Sequence, residues 1–270
     1  MKVLINFFIV LGISLKHLLV EYFLLVIQRR IHSRKYKENA TPLVSIIIAT
    51  YNRGDILVSR TIPNLLKQDY KNIEVIIVGD KCIDDTPNLI KSISDKRVKF
   101  YDLEKRGKYP KNIIDRWFVQ GSKPRNIGMR YAKGDWFAWM SDDDILYPNH
   151  ISTLLDYAQK HDLEFVTGNY VEDREGKKSE IKAQAFDNSN PSFAIGGMPT
   201  WMYRSYLKTF KWNINSWRKK YNRPVDFDLA LRFKSCGVRI GHTDIIVALV
   251  PPVEGTNTVG YQAALLADKE

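Results

Sequence analysis

Cysteine is nearly absent from this chain. Cys82 and Cys236 are the only two in 270 residues, far apart and in no C-x-x-C pair. That excludes a disulfide framework and a cysteine zinc site, and it fits a reducing compartment. Phosphate-cradling glycine loops are missing as well. Neither G-x-G-x-x-G nor G-x-x-x-x-G-K-[ST] occurs, so the dinucleotide fingerprint and the Walker P-loop are excluded. There are no internal repeats and no low-complexity tracts. Negative charge is in deficit, with a formal net charge of +11. Residues 1–39 hold seven Lys/Arg against two Glu, so +5 arises there and +6 in the remaining 231 residues. The basic excess is partly local and no recognition motif accompanies it, so nucleic acid is not an expected partner.

What is present begins with an apolar segment. Residues 3–27, "VLINFFIVLGISLKHLLVEYFLLVI", precede the basic run "QRRIHSRKYK". A signal peptide would end in a small-residue cleavage site, and none is visible. A spanning helix needs roughly 20 apolar residues. Lys16 and Glu21 interrupt this one, each at about 2.5–3.5 kcal/mol on insertion scales. On a helical wheel Asn6, Ser14, His17, Glu21 and Gln28 form one polar stripe. Two readings stay open, a span and an interfacial amphipathic helix. Either sets the basic run against anionic cytoplasmic headgroups. The bland reading is a helix that buries its apolar face in a homo-oligomer. The expected organisation is residues 1–39 as a membrane-associated helix with a basic juxtamembrane segment, separable from a catalytic domain over 40–270.

The body alternates strand and helix. "PLVSIIIATYNR" (42–53), "NIEVIIVGDKCIDDT" (72–86), "KRVKFYDL" (96–103) and "DWFAWM" (135–140) predict strands, the first of them buried. Between them, "DILVSRTIPNLLKQ" (55–68), "TPNLIKSISD" (86–95) and "KPRNIGMRYAKGD" (123–135) predict helices, with Pro63 a kink and Gly134 a stop. "PNHISTLLDYAQKHD" (148–162) predicts another. The alternation predicts an α/β fold with a mostly parallel sheet and helices on both faces. Further on, 169–181 reads as a charged hairpin turning at Gly176, 187–201 as a loop, and 226–237 as a helix capped by Gly237. In open α/β sheets ligands bind beyond the carboxyl ends of the strands. Three strands here end in polar clusters: Thr50-Tyr51-Asn52-Arg53, Asp80 with Asp84 and Asp85, and Asp142-Asp143-Asp144. Three adjacent aspartates repel one another, so something positive is expected beside them.

Four stretches in order, "PLVSIIIATYNR", "NIEVIIVGDKCIDDT", "RNIGMRYAKGDWFAWMSDDD" and "DFDLALRF", resemble family 2 glycosyltransferases, over residues 42 to about 240. The resemblance implies the GT-A fold and a nucleotide-diphosphate sugar, here expected to be a UDP-sugar, bound across the strand ends. It implies a D-x-D motif at Asp142-Asp143-Asp144 that holds Mn²⁺ or Mg²⁺. Hard carboxylate oxygens suit such ions, and the ion neutralises a departing diphosphate. Alternate residues of an extended segment point the same way. On that basis Asp142 and Asp144 share a face, with Asp144 the metal ligand, Asp142 nearer the ribose and Asp143 turned away. The bland reading is an acidic turn that caps the helix after Pro148.

By the same resemblance Thr50, Tyr51 and Asn52 bind the base, with simple packing as the bland reading of Tyr51, and Asp80 binds the base or ribose. The family's "D-D-G-S" turn reads Gly79-Asp80-Lys81-Cys82 here, a departure at Lys81 and Cys82. Arg125 and Asn126 match an "R-N" pair near the nucleotide, with a structural Arg–carboxylate pair as the bland reading. The "E-D" pair of inverting members reads Val225-Asp226, so Asp226 inherits the base role, with Asp228 as the backup and a helix cap as the bland reading. Arg232 is expected to pair with Asp226 or to approach the diphosphate. Gly197 and Trp201 mark the acceptor entry, Trp201 as a sugar platform or as core.

The implied function is a metal-dependent inverting glycosyltransferase acting on a glycan or lipid-linked acceptor at the cytoplasmic face of a membrane. No further long apolar run follows residue 39, which argues against a polymer-extruding synthase. A sugar nucleotidyltransferase would need a glycine-rich basic loop after the first strand, and "ATYNRGDILVSR" has one glycine. A decayed, merely sugar-binding site would not need Asp80, Asp142, Asp144 and Asp226 together.

Overall fold

In a computed structural model of the chain, the described residues are 8, 11–12, 14–15, 17–32, 40–185, 194–219, 221, 223–253 and 255–267. Four parallel strands open the body: β1 (Val44–Thr50), β2 (Ile73–Gly79), β3 (Val98–Asp102) and β4 (Trp136–Ser141). Their apolar runs divide by the two-residue period of a strand. Val44, Ile46 and Ile48 of β1, Val75 and Ile77 of β2, and Ala138 and Met140 of β4 enter one core. Ile47, Ile76, Val78, Phe137 and Trp139 enter the other. A sheet covered on both faces has no solvent face, which is why these strands read as continuous apolar runs.

The strands that follow in chain order are β5 (Ile145–Leu146), β6 (Phe165–Arg174), β7 (Lys177–Ile181), β8 (Gln184–Ala185), β9 (Ala194–Ile195), β10 (Met202–Arg204) and β11 (Ile240–Val250). The main sheet has nine strands in the order β3-β2-β1-β4-β10-β6-β11-β5, with β7 on β6. It is mixed, which corrects the expectation of a mostly parallel sheet. β10 runs antiparallel to both β4 and β6, β5 antiparallel to β11, and β7 antiparallel to β6. The hairpin of β6 and β7 turns at Glu175-Gly176, both in the left-handed region.

One core is roofed by α2 (54–66), α3 (Thr86–Lys91) and α6 (His150–Lys160). Helix α2 is the run of segments Gly54–Ile56, Leu57–Thr61 and Ile62–Leu66. Its middle turn is widened, with Ile62 N–H bonded to Leu57 O. Pro63 follows at once, so the widening absorbs the donor that proline lacks. After the short α4 (Ile113–Trp117) come α5 (Ser122–Tyr131) and α7 (Val225–Ser235), which supply the second core with Met129, Leu229, Ala230 and Phe233. Gly237, at φ +72°, follows α7 as expected. A last helix, α8, spans Gly260–Ala267.

The first helix, α1 (Tyr22–His32), follows a widened turn at His17–Glu21. No helix among the described residues is long and apolar enough to cross a membrane, so the spanning reading is not supported. Nor is α1 separate from the body. Leu25 is 1% exposed inside the second core, and Glu21 is buried. The polar stripe does not face one way, since Ser14 is exposed and Glu21 is buried. Glu21 faces the body, while Leu19, Phe23, Ile27 and Ile31 stand exposed. Asn6, and the loop residues 186–193, lie outside the described residues.

Candidate active site

The carboxyl ends of β1, β2 and β4 lie side by side, and register brings their polar residues together. Thr50 pairs with Gly79, and Asp80 N–H donates to Thr50 O at 2.8 Å. The Thr50 hydroxyl donates to Asp142 Oδ2 at 2.7 Å. Thr50 is thus spent on holding Asp142 rather than free for a base.

The acidic trio forms a turn, not an extended segment. Alternation therefore does not aim Asp142 and Asp144, contrary to the sequence argument. Asp144 folds back so that Oδ2 accepts Ser141 N–H at 2.7 Å. Helix α2 grips the turn from outside. Arg60 donates to Asp143 O at 2.5 Å, Thr61 to Asp142 O at 2.6 Å, and Asn64 to Leu146 O at 2.9 Å. Arg53 lies 3.5 Å from the Asp143 carboxylate, so Asp143 is the member turned towards a protein cation. The trio caps no helix: the residue before α6 is Asn149, whose side chain makes no cap bond.

Burial first, and then the neighbouring Asp143, raise both Asp142 and Asp144 above the usual carboxylate range. Two recessed carboxylates that are costly to ionise are suited to a cation. No group of three His, Cys, Asp or Glu that could hold a metal by itself occurs among the described residues. Mg²⁺ and Mn²⁺ suit such an arrangement, because they take one or two carboxylates and fill their shell with water and substrate phosphates. The donor set fits the expected ion on those terms.

Arg125 reaches into the same space from α5. Its charge and those of Asp226, Tyr109, Asp142 and Asp144 act on one another, which links it electrostatically to the acidic turn and the start of α7. Nη1 donates to Gln120 O at 3.0 Å, and the guanidinium lies 5.0 Å from the Trp212 ring. Asn126 does not join it. Its amide clamps the backbone of Trp212, donating to the carbonyl and accepting the N–H, both at 2.9 Å.

Asp226 is the second residue of α7, after Pro224 at the cap position, so it is not the helix cap. Its Oδ1 accepts Phe227 N–H at 2.8 Å, and burial raises its pKa against the pull of Arg125. Asp228 has a different fate. It is buried and bonded to Arg232, Lys219 and Asn213. Burial pushes it up, but Arg232 and Lys219 outweigh that and hold it low. Arg232 therefore pairs with Asp228, one turn away, and not with Asp226, which corrects the expectation. Its Nη1 also meets Glu21 Oε1 at 2.5 Å.

The acceptor platform is corrected as well. Trp201 is 2% exposed, donates Nε1–H to Gly196 O at 2.7 Å and packs on Phe165 and Trp212. A Cβ on Gly196 would stand 2.3 Å from Gly168 O, and one on Gly197 2.9 Å from the Tyr170 ring. These glycines let backbone and ring close up.

The second turn is built with substitutes. Lys81 occupies the glycine position of the family's turn at φ 62°. A Cβ on Gly79 would come within 2.4 Å of Asp102 Oδ1, whose carboxylate accepts Cys82 N–H at 3.1 Å. A carboxylate from β3 thus fills the place beside Gly79. Asn52, also left-handed at φ 54°, ties the first turn to the second by accepting Ile83 N–H at 2.9 Å. The segment 104–111 escaped the sequence reading. Gly107 N–H donates to Asp80 Oδ1 at 2.8 Å, and Arg106 lies 3.5 Å over the Tyr51 ring. Tyr109, its pKa raised by burial and by Asp80, lies beside that carboxylate. The available signal was composition: "KRGKYPK" is a basic loop with glycine and proline after a strand.

The model of "Glycosyl transferase family 2" matches residues 45–115 and 117–237. The chain belongs to that family. Among similar curated proteins, the glycosyltransferase GlyG of Streptococcus pneumoniae is 32% identical over 130 residues, 47% of this chain and 39% of that protein. The UDP-Glc:alpha-D-GlcNAc-diphosphoundecaprenol beta-1,3-glucosyltransferase WfaP of Escherichia coli is 33% identical over 128 residues, 47% of this chain and 46% of that protein. The match spans less than half the length of these relatives. Among solved structures, S. aureus TarS 1-349 in complex with UDP-GlcNAc has a TM-score of 0.59 at 18% identity, covering 79% of this chain and 60% of that one. The Pyrobaculum calidifontis mannosyltransferase PcManGT in complex with GDP-Man and Mn²⁺ has 0.57 at 16%, covering 91% and 70%. At such identities the likeness is one of fold, and it agrees with the GT-A-like α/β architecture.

Proposed function

We propose that this chain transfers a sugar, with inversion, from a nucleotide-diphosphate sugar to a glycan or lipid-linked acceptor at a membrane surface. The observation that carries the reading is Arg125, whose charge acts on Asp226, Asp142 and Asp144 together. The groups proposed for the leaving group and for the base then share the field of one cation. WfaP, which acts on a diphosphoundecaprenol-linked sugar with UDP-Glc, supports a UDP donor and a lipid-linked acceptor.

In this reading Asp144, with Asp142 beside it, would hold Mn²⁺ or Mg²⁺. The bound ion would supply charge neutralisation for the leaving group. Tyr51 and Arg106 offer a flat apolar face and a guanidinium for the base, and Asp80 an acceptor for base or ribose. The acceptor hydroxyl attacks the anomeric carbon, and its proton passes to Asp226. The bond from that carbon to the β-phosphate oxygen breaks, and the nucleoside diphosphate leaves past Arg125. Burial makes Asp226 a stronger base than an exposed aspartate, which favours this role. The α1 segment and the basic run after it support a seat on the cytoplasmic face of the bilayer.

The test is a panel of nucleotide sugars with purified full chain and Mn²⁺, read as donor hydrolysis and as transfer to a lipid-diphosphate-sugar acceptor. Turnover of one UDP-sugar, lost with chelator, is expected. Binding of UDP-sugars without turnover of any of them would favour a sugar-binding protein.

A further inference from the structure

The first helix has two unlike faces, and one of them is wired to the catalytic helix. On the inner side, in the widened turn that leads into α1, Glu21 is buried against Arg232 of α7, at 2.5 Å. Arg232 Nε reaches Asp228 Oδ2 at 2.9 Å, and Nη2 reaches Lys211 O at 2.5 Å. Eight residues on, Arg29 donates to both oxygens of Glu164, at 2.7 and 2.5 Å, and to Gly237 O at 2.6 Å. Arg232 lies in the last turn of α7 and Gly237 just past its end, so both contacts hold the C-terminal end of that helix, and Arg232 carries the hold inward to Asp228. Buried ion pairs contribute little net stability, but they fix geometry, because breaking one leaves a charge uncompensated. Asp226 is two residues before Asp228 on the held helix.

The outer face is apolar and bare. Leu19, Phe23, Ile27 and Ile31, four residues apart, run along one exposed arc, and Phe23 is 70% exposed. Phe8, Leu11 and Leu15 extend the exposed apolar set towards the N-terminus. Contiguous apolar surface of this kind marks an interaction site. The sequence identifies the occupant by charge. Arg30 is exposed beside the arc, and Arg34, Lys35 and Lys37 follow. An apolar arc continued by a basic run complements an anionic bilayer surface, where acyl chains lie beneath negative headgroups.

We propose that α1 is a lipid-seated strut for the catalytic helix, with its apolar arc in an anionic bilayer surface and Glu21 as the positioning residue that holds α7 through Arg232. The proposal rests on the membrane seat and the role of Asp226 proposed above. It adds that lipid docking orders the catalytic helix rather than merely tethering the enzyme.

The experiment uses the full chain with vesicles of phosphatidylcholine, with and without phosphatidylglycerol. Three readouts are taken: co-sedimentation, amide hydrogen exchange across 224–235, and turnover of the donor. Wild type should sediment with the anionic vesicles only, and exchange in α7 should slow. Phe23→Glu with Ile27→Glu should stay in the supernatant with α7 unslowed. Glu21→Gln should sediment like wild type while α7 keeps its solution exchange rate. If Glu21→Gln melts early, Glu21→Asp, which keeps the charge but shortens the reach, is read in its place. Slowing of α7 in these Glu21 variants equal to wild type would overturn the positioning role. Wild type that ignores anionic vesicles, or a dimer that Phe23→Glu breaks, would overturn the lipid seat. Sedimentation and exchange need no turnover, so an inactive preparation would count against the transferase reading and not against the strut.

Discussion

The guanidinium of Arg106 lies 3.5 Å over the ring of Tyr51, where a flat base would stack. A cation over an aromatic face is stabilising by about 0.5–2 kcal/mol. A base entering here must displace Arg106 or be sandwiched beneath it. Sandwiching keeps that stabilisation in the complex. Arg106→Ala is expected to weaken UDP binding by about three- to thirtyfold, and Tyr51→Ala to do so as well. Titration calorimetry with UDP and Mn²⁺ measures both; unchanged affinity in both variants would place the base elsewhere.

Asp144→Asn keeps an oxygen that can accept Ser141 N–H, so the turn and the melting temperature should survive. Metal-supported UDP binding should be lost. The pH dependence follows from the raised Asp142 and Asp144. A carboxyl ligates only when ionised. A raised pKa means protonation sets in early on acidification, so metal-supported binding should fade at a pH above the value of about 4 typical of exposed aspartate. UDP titrations with Mn²⁺ over a pH series show whether the loss sits there.

Lys81 holds a left-handed backbone at φ 62°. For a residue with a Cβ that conformation costs roughly 1–2 kcal/mol. Lys81→Gly should therefore raise stability by about 1 kcal/mol, less what glycine's looser unfolded chain takes back. Urea unfolding of the two proteins decides it, and a destabilised variant would mean that the lysine side chain has a partner of its own.

Lys81 also shows what the sequence made legible. β1, β2 and β4 were readable because both their faces are covered, which leaves nearly unbroken apolar runs such as "VSIIIAT". The three-residue β10 and the shifted register of β11 were not readable. β10 is too short to show a period, and β11 slips between His242 and Ala248, so its alternation never holds. The acidic trio was legible as a cluster, but its aim was not, because a turn replaces the extended backbone that alternation assumes. Trp201 and Asn126 were legible as residue types in the right place. Only packing shows that one is core and the other a backbone clamp.

Trp201→Ala should cost about 3–5 kcal/mol of stability, the usual range for a large buried aromatic, with lost folded protein rather than a selective rise in acceptor KM. Trp201→Phe keeps most of the volume but leaves Gly196 O without its donor, and should keep acceptor KM near wild type. A rise in acceptor KM alone in Trp201→Phe would return the residue to the acceptor path.

The two aspartates of α7 separate chemistry from architecture. The Asp226 carboxylate accepts the Phe227 N–H at the start of α7, and the charge of Arg125 favours its ionised form against burial. Asp228 is buried among Arg232, Lys219 and Asn213. Asp226→Asn removes a base without removing a fold contact. Turnover should fall by about 10²–10⁴-fold, the range for a lost general base, with UDP affinity and melting temperature near wild type. Asp228→Asn leaves Arg232 and Lys219 facing a neutral amide. Removing one partner of a buried pair costs about 3–5 kcal/mol, so this variant should melt early, and any fall in turnover should track the folded fraction. Parallel melting curves and single-turnover rates for the two variants are the measurement. An Asp226→Asn enzyme with undiminished turnover, or an Asp228→Asn enzyme that is stable but inactive, would exchange their roles.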